Sequence, residues 1–368
     1  MDHSPQPKEH PLPPEVQQRL QRLQPAWKFS LEDIPVQRLL VRSPNWVGDA
    51  VMSLPVLSGL QKLFPEAEIT VLAARRVAAL FQNLPGVTEV VPYPAGRGKW
   101  RVLWELRGRF DLALALPNSL ESALGLWLVG VPVRVGYAAD ARRPLLNLPV
   151  SGRQTLAGLH LVFYYLGLLR ALGEVETFTP PTLYLRALEM AGAAQLLADA
   201  GPGSGPWVGL SPGAAYGPAK RWPPEHFAAL GRELIKKCGA RLVLLGGREE
   251  AAVAQQVKER LGLPVLNLVG KTDLRQALAV LSRLKLLITN DSGLMHAAAA
   301  LRVPLVALFG STDPTATGPL TDRATILRHP LPCSPCLQRT CDLGYACLTA
   351  IKVEEALAAA RPWLVENP

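Results

Sequence analysis

Apolar and polar positions along this chain fall into one repeating order. A short run of branched aliphatic residues is followed by a small polar loop, and then by a stretch with apolar residues at every third or fourth position. Val36–Val41 is the first run, and Ala50–Leu63 follows it with Val51, Leu54, Leu57 and Leu60 on one helical face. The order recurs with strands predicted at Glu68–Ala73, Val87–Val91 and Leu112–Leu116. Helices are predicted over Arg76–Leu84, Trp100–Arg107 and His160–Leu172, and the segments Ala123–Leu128 and Val133–Gly136 complete this half. Thr177–Thr182, with two prolines and little periodicity, marks a boundary. A helix over Ala187–Ala200 and the loop Gly201–Pro206 come next, and the layout then repeats. In this half the predicted strands are Trp207–Leu210, Leu242–Leu245, Val265–Leu268, Leu284–Ile288 and Leu305–Phe309. The helices are Pro224–Lys237, Glu249–Leu261 and Leu274–Leu281. Alternation of this kind predicts βα units and parallel sheets. The expected organisation is a tail over 1–36 holding a short polar helix at Glu15–Leu23, a Rossmann-like domain over 37–182 and a second over 183–368. A single large α/β domain is the competing reading.

Composition supports that class. At 368 residues and 49% apolar, the chain can bury two cores, and its 6% aromatic content suits strands built from Leu, Ala and Val. The formal charge of +9 favours an anionic partner such as a nucleotide or a phosphate-rich membrane face. Nucleic acid is not expected, because no Lys/Arg arm and no aromatic–basic stripe is present. No run has the length and apolarity of a membrane span. The N-terminus lacks a signal-peptide core, and with five cysteines a cytosolic chain with reduced thiols is expected.

The candidate chemistry sits in loops that follow strands. In open α/β sheets ligands bind at that edge, and N–H groups opening a helix suit phosphate. Asp49 stands near the first helical turn after the first strand, either as a helix cap or as a carboxylate acting as general base. Ser211 and Gly213 follow a strand of the second half, and Lys220 supplies a charge a few residues on. Glu249 and Glu250 close the next strand, where one carboxylate can accept hydrogen bonds from a sugar. Asp291, Ser292, Gly293 and His296 form the fourth loop and the helix after it; His296 either donates to phosphate or braces the loop. No G-x-G-x-x-G or Walker pattern is present. Cys333, Cys336, Cys341 and Cys347 lie within one short segment. They are either packed thiols or ligands of a structural zinc or iron–sulfur centre, with no catalytic role.

Taken together, these motifs resemble one family. Ser43-Pro44-Asn45-Trp46-Val47-Gly48-Asp49 with Met52-Ser53-Leu54-Pro55, and Asn290-Asp291-Ser292-Gly293-Leu294-Met295-His296 with Ala307-Leu308-Phe309-Gly310, carry the match. Lys220-Arg221-Trp222-Pro223, His160 and the four-cysteine segment also fit, so the likeness runs from about residue 37 to the end. The chain resembles the ADP-heptose–lipopolysaccharide heptosyltransferases of glycosyltransferase family 9, most closely the branch that extends a core already carrying one heptose. That resemblance implies a GT-B fold, two Rossmann-like domains facing each other across a cleft, with acceptor on the first and donor on the second. It implies inverting, metal-independent transfer of heptose from ADP-heptose to heptosyl-Kdo2-lipid A, with no cofactor required. Asp49 would be the base. Ser211, Gly213 and Lys220 would meet the donor phosphates, and Glu249 or Glu250 a donor sugar. Asp291, Ser292, Gly293 and His296 would complete the wall. The expected partners are ADP-heptose and a phosphorylated lipopolysaccharide acceptor, reached by a cytoplasmic monomer peripherally attached to the inner membrane. Transfer of the first heptose, an epimerase, and a non-catalytic glycan- or nucleotide-sugar-binding module remain open alternatives.

Overall fold

The computed structural model describes residues 8–26, 35–201 and 203–364. The chain divides into two compact units, with the break between Tyr184 and Leu185. In the first unit the strands are β1 (His10–Pro11), β2 (Gln24–Pro25), β3 (Arg38–Arg42), β4 (Glu68–Ala74), β5 (Val87–Tyr93), β6 (Leu112–Ala115), β7 (Val133–Tyr137), β8 (Leu148–Ser151) and β9 (Thr177–Phe178). Seven of them form one sheet in the order β2-β8-β7-β6-β3-β4-β5. Its pairings are parallel except for β2 against β8. The second unit holds β10 (Trp207–Ser211), β11 (Arg241–Leu244), β12 (Leu266–Asn267), β13 (Leu286–Asn290), β14 (Leu305–Phe309) and β15 (Ala324–Arg328). They make a wholly parallel sheet ordered β12-β11-β10-β13-β14-β15.

Both sheets reverse strand order at one point, between β3 and β6 in the first and between β10 and β13 in the second. Loops leaving adjacent strands there run to opposite faces and open a crevice at the carboxyl edge. The Asp49 loop leaves β3, and the Ser211 and Asp291 loops leave β10 and β13. Apolar runs become central strands because both of their faces are covered. Leu39, Leu40 and Val41 are buried, as are all five residues of β13 and of β14. In the second unit Leu210, Ile288 and Leu308 pack with Trp222, Phe227, Leu234 and Leu357.

Several elements differ from expectation for identifiable reasons. The helix expected over Ala50–Leu63 is two, Val47–Met52 and Leu54–Leu63. Pro55, second in the later helix, has no N–H to continue an earlier one. Residues 8–26 of the expected tail dock on the first unit. Leu12, Val16, Leu20 and Leu23 recur at helical spacing and are all buried, with Val16 and Leu20 on the helix Pro14–Gln21. Arg19 adds a hydrogen bond to the Ala157 carbonyl at 2.8 Å. The other tail residues, 1–7 and 27–34, lie outside the described residues, as does Pro202 of the Gly201–Pro206 loop. His160 caps the helix Leu161–Leu166 through Nδ1, which accepts from the Val162 N–H.

Candidate functional site

In the first unit the loop after β3 is clamped from three directions. Arg42, buried at the end of that strand, donates to the Ser43 carbonyl at 2.7 Å and stacks over Tyr93 at 4.4 Å. The Tyr93 hydroxyl donates to Asn45 Oδ1 at 2.7 Å, and Arg76 donates to the Asn45 carbonyl at 2.7 Å. Burial lowers the Arg42 pKa, partly offset by Tyr93 and Glu121. These contacts fix the start of the helix Val47–Met52.

Asp49 is the third residue of that helix, and Trp46 occupies the cap position. Asp49 thus lies in the first turn rather than at the N-cap position itself. Its carboxylate accepts a hydrogen bond from Tyr165, a residue of Leu161–Leu166 that is 6% exposed. Burial first, and then the Asp49 charge, hold the phenol pKa well above its usual value, so Tyr165 stays a donor. Tyr165 is a neighbour of Asp49 that the motifs did not reveal. Its one sequence signal is its place on the apolar helix that begins after His160.

In the second unit the predicted residues converge at the reversal of the sheet. Lys220, at the end of a short 3-10 turn, donates to Asp291 Oδ2 at 2.5 Å. Asp291 is 4% exposed, and the same oxygen accepts from Thr312 Oγ1 at 2.6 Å. Asn290 ties the neighbouring loops together: its amide donates to the Pro212 carbonyl at 2.8 Å, and its oxygen accepts from the Trp222 N–H at 2.9 Å. Asn290 belongs to a motif legible in the sequence, whereas Thr312 does not, and the contacts of both run across the sheet. Ser211 is buried at the end of β10. Ser292 precedes the helix Gly293–Ala300, and its hydroxyl lies 3.2 Å from that of Thr289. Gly293 opens the helix, whereas His296 is buried on its second turn.

The two glutamates separate. Glu249 is exposed, while Glu250 turns inward and accepts from the Gly247 N–H at 2.7 Å. Burial raises the Glu250 pKa, and that N–H bond opposes the rise. A Cβ at Gly213 would stand 2.3 Å from the Glu250 carboxyl carbon, so glycine is what admits the side chain beneath this loop.

The cysteine-rich segment backs the same loops. The Ala219 N–H donates to the Arg339 carbonyl at 3.1 Å, the Tyr216 hydroxyl to the Leu337 carbonyl at 2.6 Å, and Ser334 Oγ to the Gly310 carbonyl at 2.6 Å. All four cysteines border a cavity of about 20 Å³, and they are free thiols. Among the described residues, however, no group of three or more His, Cys, Asp or Glu is placed to hold a metal ion. The segment packs behind the Lys220 loop. Burial raises the Cys347 pKa, which favours the neutral thiol.

Two Rossmann-like units with parallel sheets define the GT-B class of glycosyltransferase fold. Residues 99–346 match the model for glycosyltransferase family 9 (heptosyltransferase). Lipopolysaccharide heptosyltransferase 2 of Escherichia coli K12 is 36% identical over 307 residues, covering 79% of this chain and 88% of that protein. Lipooligosaccharide heptosyltransferase 2 of Haemophilus ducreyi is 35% identical over 312 residues, with the same shares. The solved structure of E. coli ADP-heptose LPS heptosyltransferase II superposes with a TM-score of 0.73 at 31% identity, covering 89% of this chain and 98% of that one. The chain belongs to glycosyltransferase family 9, and it is a glycosyltransferase enzyme.

Proposed function

We propose that this enzyme moves L-glycero-D-manno-heptose from ADP-heptose to the heptosyl-Kdo2-lipid A inner core, with inversion at the anomeric carbon. The observation that carries this reading is the Lys220–Asp291–Thr312 cluster beside the start of the helix Gly293–Ala300, at the reversal of the donor-unit sheet. It occurs in a chain more than a third identical to a protein named lipopolysaccharide heptosyltransferase 2.

The scheme assigns each group a task. Asp49 takes the proton of the acceptor hydroxyl as that oxygen attacks the anomeric carbon, which acquires oxocarbenium character. ADP leaves from the opposite face of the sugar. Tyr165 orients the Asp49 carboxylate. In the free enzyme Lys220 is neutralised by Asp291; a diphosphate competes for the ammonium and receives its charge as the bond breaks. Backbone N–H groups at Ser292 and Gly293 add donors at the helix start, where the dipole contributes about 1 kcal/mol. Glu250, rather than Glu249, faces the donor sugar. The acceptor is membrane-held, so the enzyme works from the cytoplasmic face as a peripheral protein. Among the described residues no helix is long and apolar enough to cross a membrane.

The test is a paired assay with ADP-heptose and two acceptors, Kdo2-lipid A and its mono-heptosylated form. The reading expects transfer to the heptosylated acceptor, with the other slower by roughly 10²-fold or more, because a site built to hydrogen-bond the first heptose is left with unpaired groups without it. Preference for the unheptosylated acceptor would reassign the enzyme to the first transfer.

A further inference from the structure

Three of the chain's eight tryptophans stand exposed on one pair of helices in the first unit, Gly98–Glu105 and Leu120–Leu128. The pair runs side by side in the same direction. Lys99 bridges to Glu121 at 2.9 Å at one end, and the Gly108 N–H donates to the Val129 carbonyl at 2.9 Å at the other. Their inner faces are fully used: Leu103, Leu106, Leu126 and Val129 form a core, and Gly125 lets Leu103 approach closely. The tryptophans therefore belong to the outward face. Trp100 and Trp104 lie one turn apart, with 38% and 64% of their surface in solvent. Trp127, at 52%, and Leu120, at 49%, are spaced seven residues apart and share a stripe on the second helix.

The charge around these rings is predominantly positive. Between residues 97 and 109 the sequence places Arg97, Lys99, Arg101, Arg107 and Arg109 against the single acid Glu105. Lys99 sits 5.1 Å from the Trp100 ring centre and Arg107 4.9 Å from that of Trp104. Lys99, Arg101 and Arg109 have acidic partners. Among the described residues Arg97 and Arg107 have none.

We propose that this face docks on an anionic lipid bilayer. Exposed indole rings on an outer surface, with cations beside two of them, match the interfacial layer of a membrane: the ring occupies the headgroup–acyl boundary, and the cation meets lipid phosphate. A water-facing tryptophan gains by transferring its ring out of water, and an unpaired arginine gains from the negative surface potential. A protein partner would fit the apolar rings as well. The unbalanced positive charge is what selects a uniformly anionic surface. The surface stands on its own geometry, and it also supplies the way a membrane-held acceptor would be reached.

The experiment uses the full chain and vesicles without donor or acceptor, so that its outcome is separate from that of the transfer assay. Vesicles of phosphatidylethanolamine with phosphatidylglycerol are compared with phosphatidylcholine alone, by cosedimentation and by tryptophan emission. Wild-type protein should bind the anionic vesicles about 10-fold or more tightly than the neutral ones, with a blue-shifted emission and a loss of binding in high salt. Trp104→Ala with Trp127→Ala should reduce that binding roughly 10-fold, and Arg97→Glu with Arg107→Glu at least as much. Both variants should keep wild-type melting temperature and wild-type turnover on detergent-dispersed acceptor. Vesicle binding that is absent in the wild type, or unchanged in both variants, overturns the proposal. So does a concentration-dependent dimer that the tryptophan variant dissolves, since a second copy would then cover the face.

Discussion

Replacing Lys220 by Ala should expose an asymmetry built into its pairing with Asp291. The ammonium lies 2.5 Å from a carboxylate that is 4% exposed, while the lysine side chain is itself 14% exposed. Deleting the lysine leaves Asp291 charged, buried and supported by the Thr312 hydroxyl. Breaking a buried ion pair from one side costs about 3–5 kcal/mol, and the partial exposure of Lys220 puts this case near the lower figure, about 3 kcal/mol. For a unit of this size that is roughly 6–12 °C in the melting temperature of its transition. Asp291→Asn should be milder, about 1 kcal/mol, because the amide oxygen still accepts from Thr312 and the lysine can extend into solvent. Binding should diverge in the other direction. Lys220→Ala should lose about 10-fold to 10²-fold in ADP affinity and little in adenosine affinity, the loss of one charge-assisted contact to phosphate. Asp291→Asn frees the lysine from its competitor and should bind ADP at least as well as wild type. Calorimetric melting and titration with ADP and adenosine measure both effects. Equal destabilisation by the two substitutions, or equal loss of ADP and adenosine, would refute the reasoning.

Asp49→Asn should lower kcat by roughly 10²-fold or more with little change in donor affinity or melting temperature; near-normal turnover would move the base elsewhere. Tyr165→Phe removes the donor to Asp49 and should reduce kcat about 10-fold at unchanged KM. It should also shift the acid limb of the kcat/KM profile to higher pH, because the charged carboxylate loses a hydrogen bond; an unmoved limb would make Tyr165 merely structural. Glu189 accepts from Arg275 Nε at 2.7 Å and Nη2 at 2.6 Å, and this hydrogen bonding holds its pKa below the usual 4.5. A lowered carboxylate pKa contributes stability that is complete above the unfolded value and lost as pH falls through the folded one. The stability gap between wild type and Glu189→Gln should therefore be widest above about pH 4.5 and close in more acidic buffer, as chemical denaturation across that range would show.

What was legible in the sequence follows from how the fold buries its strands. β13 and β14 are covered on both faces, so they read as unbroken apolar runs, and the small polar residues after them mark the carboxyl edge. β15 is half-buried at four positions and exposed at Ile326 at the sheet margin, and it carries too weak an apolar signal to be anticipated. The helix Val353–Leu364 contains Pro362, yet it is held in place by Ala356, Leu357 and Ala360 packing on the second core. The docked N-terminal helix shows the opposite problem. Its buried stripe is one residue wide, and the surrounding Gln and Arg side chains hide it from a reading by composition.

The site divides along the same physical line. Strand ends and glycines announce where a ligand can approach, because backbone geometry is written locally. Which charges meet there is a property of distant segments: Lys220 and Asp291 are 71 positions apart, and Asn290 fixes Trp222 across 68. Gly213 links the two kinds of information. Locally it reads as a loop glycine beside phosphate, but the nearest atoms to a Cβ there belong to Glu250. The absence of a side chain at 213 is thus what lets a burial-shifted carboxyl reach beneath the loop after β10, and it separates Glu250 from its exposed neighbour Glu249. A motif can specify the loop, but the choice between adjacent glutamates depends on the space left by a residue on another strand.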